Sequence, residues 1–120
     1  MERENYIYNE IQKYIKEGLR LKSFFEDIKE KSNINNRYDS TYEDYEKDYP
    51  RWIRGTKKFL EKNLIGYYYK FSPISHDDIS EISLINIFQD NNRLNTIIKG
   101  LSDMIQILQE ISEEKVKNII

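Results

Sequence analysis

Residues 7–28 read IYNEIQKYIKEGLRLKSFFEDI, and within them Ile7, Ile11, Tyr14, Gly18, Leu21, Phe25 and Ile28 follow one another in alternating steps of four and three. An α-helix turns once in 3.6 residues, so this spacing lines a single face, and a stripe of that kind must be buried against something. Two further stretches repeat the pattern. One runs Tyr45, Tyr49, Trp52, Thr56, Phe59, Asn63; the other runs Leu94, Ile97, Leu101, Met104, Leu108, Ile111. The sequence therefore predicts an all-α fold: an antiparallel bundle of four to five helices, with three long amphipathic ones, in one domain over residues 1–120.

Working outward, the first helix is expected over about residues 3–32, closing where Ser32-Asn33-Ile34-Asn35-Asn36 offers short polar side chains that compete for backbone hydrogen bonds. Gly18 lies inside the stripe and costs about 1 kcal/mol there relative to Ala, which suggests close approach of a neighbouring helix. Ser40 and Glu43 have capping-box spacing, but Pro50 then interrupts. This reads as a short acidic helix over about 40–48 and a second over about 50–64, or as the two fused with a kink. Charge reverses at the proline. Asp39, Glu43, Asp44, Glu46 and Asp48 against Lys47 precede it; Arg51, Arg54, Lys57, Lys58 and Lys62 against Glu61 follow. Acid before a helix start and base toward its end suits the helix dipole.

Gly66 is expected to end that helix, and Tyr67-Tyr68-Tyr69-Lys70-Phe71 to be either an extended connection or one more helical turn. Ser72-Pro73-Ile74-Ser75 reads as a loop, with Ser75 capping a short helix over about 77–88. The last helix is expected over about 92–113, with Glu113-Glu114-Lys115 continuing it or fraying.

Composition narrows the chemistry. With no cysteine, disulfides, thiolate nucleophiles and Cys-based metal sites are excluded. A formal net charge of −2 gives no global reason to expect nucleic acid or an anionic membrane. No apolar run reaches the roughly 18–20 residues that span a bilayer, and the polar start Met1-Glu2-Arg3-Glu4-Asn5 shows no secretory signal, so a cytoplasmic location is expected. His76 is the single histidine, and with Asp77 and Asp78 it reads as a polar helix cap; the alternative is a carboxylate-only magnesium site. No Gly-x-Ser-x-Gly or glycine-rich phosphate loop occurs, and no Arg precedes His76 at the spacing of HEPN ribonucleases. No catalytic residue, metal or cofactor is expected.

Trp52 amid Arg51, Arg54, Lys57 and Lys58, with Tyr67, Tyr68, Tyr69 and Phe71 nearby, raises nucleic-acid binding, since aromatics stack on bases and cations track phosphates. Trp52 and Phe59 lie seven apart on the apolar stripe, which assigns them instead to the core.

The order of landmarks resembles a known type. Ile15-Lys16-Glu17-Gly18-x-x-Leu21 is followed by Tyr49-Pro50-Arg51-Trp52, Phe59-Leu60-Glu61-Lys62-Asn63, Tyr69-Lys70-Phe71 and Ile98-x-Gly100-Leu101-x-x-x-Ile105-x-x-Leu108. This is similar to the small all-helical domain beside effector domains in bacterial defence and conflict proteins, including TIR-like ones. The resemblance implies a non-enzymatic protein–protein interaction module, bacterial or phage-encoded, that binds or inhibits an effector in trans or is a fragment of a larger protein. The expected partner-binding residues are Arg51, Arg54, Lys57, Lys58, Tyr67 and Tyr68, toward a protein partner or a second copy of the chain. The alternative is a nucleic-acid-binding helical protein using the same cations and nearby aromatics.

Overall fold

The first stripe forms α1, Glu2–Glu30, and the third forms α4, Asn91–Ile119. Between them the second stripe forms α2, Glu43–Asn63, followed by the short α3, Ile65–Phe71, and a 3-10 turn at Ser72–Ile74. The computed structural model describes residues 2–30, 43–75 and 91–119, and contains no strand among them. The expected close of the first helix at Ser32–Asn36, the cap at Ser40, and the short helix over 77–88 with His76, Asp77 and Asp78 lie outside the described residues.

α1 packs chiefly against α4. Gln12 donates to the Ser112 hydroxyl, and Gly18 faces Ile105, so numbers fall along α4 as they rise along α1: the two are antiparallel. α2 also runs antiparallel to α1, with Phe59 against Tyr6 and Tyr14 at one end and Tyr49 against Phe25 at the other. Ile11, Leu21, Phe25, Leu60, Leu94, Leu101, Met104 and Leu108 are wholly buried in one cluster. Each such side chain contributes about 1.5–3 kcal/mol by leaving water. The long axis of 51 Å, against 24 and 22 Å across, follows from two helices of 29 residues.

α2 is one helix, with Pro50 in its interior. The reading as two separate helices split at Pro50 is therefore corrected to the fused alternative. The buried Tyr49, Trp52 and Ile53 flanking the proline hold the segment against α1, and that packing outweighs the missing backbone donor. A second correction concerns Gly66. The helix breaks at Leu64, whose φ of −146° and ψ of 67° leave the helical region. Asn63 Nδ2 donates to the Phe59 carbonyl oxygen at 3.0 Å, and the Leu64 carbonyl oxygen accepts from Tyr67 and Tyr68 to start α3. Gly66 is exposed inside α3. The aromatic run is thus a helical turn, folded back so that Phe71 is buried against Trp52. The last helix continues past 113 to Ile119.

Gly18 has a definite neighbour. A Cβ there would lie 2.7 Å from Trp52 Cζ2 and 3.0 Å from Ile105 Cγ1, so α1 can meet both other long helices only without a side chain at this point.

Candidate partner-binding face

The buried face of α2 is fixed by Tyr49, Trp52, Ile53, Thr56, Phe59 and Leu60. On a helix advancing about 100° per residue, the opposite side carries Lys47, Arg51, Arg54, Lys58 and Lys62, and all five are exposed. They form a single row about 22 Å long at a 1.5 Å rise per residue. Among the described residues none of the five has an ion-pair partner. On α1, where Arg3 and Lys16 also lack an ion pair among the described residues, other cations are paired: Lys13 with Glu10 at 3.0 Å, Lys22 with Glu26 at 3.7 Å, and Arg20 with Glu17 and, at 3.0 Å, with Asp48 of α2.

Asp48, three residues before Arg51, and Glu61, three after Lys58, offset only part of the self-repulsion in this row. Like charges three or four apart on a helix destabilise it by about 0.2–0.5 kcal/mol per pair. The helix dipole acts only within the last turn, where Lys62 alone stands; Arg51 and Arg54 are mid-helix. Lys57 is half-buried and turned about 100° away from Lys58, so it flanks the row and makes its own contacts.

Beside the row lies a groove of about 460 Å³ between α1 and α2, floored by Tyr14 and Trp52 and opened by Gly55. Its acids are already paired: Glu10 with Lys13, and Glu17 and Asp48 with Arg20. Partial burial, and after it the Glu10 carboxylate, push the Tyr14 phenol above its usual range.

Trp52 is 5% exposed, and its indole N–H donates to the Tyr14 carbonyl oxygen at 2.9 Å. It belongs to the core and cannot stack on a base. Tyr67 and Tyr68 sit on α3, half-buried against the same core. The Tyr67 hydroxyl donates to Glu114 on α4, and the Lys70 ammonium lies 5.1 Å from the Tyr67 ring centre. Burial, and then that carboxylate, push the Tyr67 phenol up to about 12. Among the described residues, the aromatic turned most to solvent is Tyr69, at 69% exposure.

Of the residues expected at the site, the structure brings Arg51, Arg54 and Lys58 into one line and sets Lys57, Tyr67 and Tyr68 apart from it. Lys47, Lys62 and Gly55 join the face and were not expected there. Among the described residues no cluster of three or more His, Asp or Glu could hold a metal ion, and no helix is long and apolar enough to cross a membrane. No family model, curated protein or solved structure matches the chain.

Proposed function

We propose that this chain is a non-enzymatic protein–protein interaction module that engages its partner through the outer face of α2. The observation that supports this is the row Lys47, Arg51, Arg54, Lys58 and Lys62, without an ion-pair partner among the described residues, on a helix whose other face is committed to the core. A surface that destabilises its own helix by self-repulsion gains from an anionic partner that neutralises it. Given the resemblance of the sequence landmarks to helical domains beside defence effectors, we read the setting as defence or counter-defence, with the chain acting on an effector in trans.

The same cations would attract phosphates, so nucleic acid is the rival occupant. The burial of Trp52, the side chain best suited to base stacking, favours protein.

The test is affinity capture from the native host with the wild-type chain and, in parallel, with the double variant Arg54→Glu/Lys58→Glu, after nuclease treatment. A protein enriched by the wild type and lost with the variant, at an unchanged circular dichroism spectrum, is the expected result. Equal recovery by both chains, or capture that disappears on nuclease treatment, would defeat the reading.

A further inference from the structure

Gly55 is the unexplained residue on this face. It lies in the interior of α2, eight residues from the Asn63 end, where Gly costs about 1 kcal/mol relative to Ala. Gly18 has a reason to lack a side chain; Gly55 has none inside the fold. A Cβ at Gly55 would meet only Tyr14 Cε1, at 4.0 Å, which is ordinary contact. Its backbone has no positive φ that would demand glycine. The missing side chain instead opens the groove floored by Tyr14 and Trp52, directly beside Arg51 and within a turn of Lys58.

We propose that this face binds an acidic amphipathic helix of a protein partner, with carboxylates over Arg51, Arg54 and Lys58 and one apolar side chain seated in the Gly55 notch. This rests on the reading of α2 as a protein-binding face and specifies what binds there. Three observations support it together. The cations are spaced by four, three, four and four residues, the ridge spacing that a second helix presents in return. The row is one residue wide, bounded on the groove side by α1 acids that are paired within the protein and on the other side by the exposed Glu61, so the positive charge runs as a line and not as a broad field. The notch has Tyr14 and Trp52 to take an apolar knob, and Arg51, which also lines it, stands ready for a carboxylate beside that knob.

The two halves of the site can be separated by substitution. Gly55→Leu fills the notch and leaves every charge in place. Arg54→Glu/Lys58→Glu reverses the row and leaves the notch open. The probe is a fluorescein-labelled designed helical peptide of about 20 residues, carrying Glu at four successive ridge positions and Leu beside them. A second peptide has Gln for each Glu, and a single-stranded RNA and a duplex DNA of similar length serve as nucleic-acid probes. Binding to the full chain is read by anisotropy at low and high salt, with melting curves for each variant.

The acidic peptide is expected to bind the wild type, and the Gln peptide to bind at least tenfold more weakly. Each of the two variants should weaken the acidic peptide by about tenfold at an undiminished melting temperature. If the charge reversal weakens the peptide but Gly55→Leu does not, the knob-in-notch inference is wrong and the protein-binding reading of the row survives. If RNA or DNA binds more tightly than the peptide and Gly55→Leu leaves that binding intact, both are wrong. Absence of binding by the acidic peptide overturns the inference, and the capture experiment above then decides the reading by itself.

Discussion

At the scale of single residues, two glycines in one bundle have opposite reasons for being glycine. Gly18 sits where Trp52 and Ile105 converge, 2.7 and 3.0 Å from where a Cβ would stand. Gly18→Ala gains about 1 kcal/mol of helix propensity but drives a methyl group into a buried indole, and overpacking of that kind costs about 1–3 kcal/mol. The expected outcome is a net loss of up to about 2 kcal/mol in denaturant unfolding. Gly55→Ala meets no such obstacle, and there the propensity gain of up to about 1 kcal/mol should appear as added stability. If both variants shifted the denaturation midpoint the same way, the distinction between a packing glycine and a surface glycine would be wrong.

At the scale of elements, α2 and α3 are each held under a condition that can be altered. Arg54→Glu turns repulsions with Arg51 and Lys58 into attractions, with the Glu on the favourable N-terminal side of Lys58. A gain of about 0.5–1 kcal/mol is expected at low salt, shrinking as salt screens the row, and melting curves across a salt series would show it. For α3 the contact is Tyr67 to Glu114. Burial, and after it the hydrogen bond to Glu114, push the folded phenol up to about 12 from the usual 10, so the folded state favours the protonated form. Its contribution is complete below pH 10 and lost as pH rises through 12. The stability advantage of wild type over Tyr67→Phe should therefore be present at pH 9 and largely lost at pH 12 in urea unfolding at the two values.

At the scale of the whole molecule, Trp52 joins the parts. It donates to the Tyr14 carbonyl and packs on Gly18 in α1, meets the Phe71 ring that ends α3 at 6.2 Å, and stands in α2 itself. Because Gly18 also meets Ile105, the same contact reaches α4. Trp52→Ala should cost about 3–5 kcal/mol, a large share of the 5–15 kcal/mol that holds a domain of this size. The melting temperature should fall by about 10 °C or more, with loss of a cooperative transition followed by circular dichroism. A shift of a degree or two would mean that the indole contributes little to holding the helices together.

The sequence by itself determined that three apolar stripes become three helices, because a period of 3.6 admits one buried face and the stripes at Ile7, Tyr49 and Leu94 keep that period. It also placed Trp52 and Phe59 in the core and gave Gly18 to a close helix contact. The cationic row was written in the same residues, yet its full length was hidden by Pro50. Local chemistry says that proline stops a helix, which assigned Lys47 to a separate acidic segment; burial of Tyr49, Trp52 and Ile53 overrides that preference and carries the row through. Only the tertiary structure decided which cations are already neutralised and which glycine has a neighbour. Both depend on what stands across the gap from another helix, and the distance across that gap is not encoded in the spacing along any one of them.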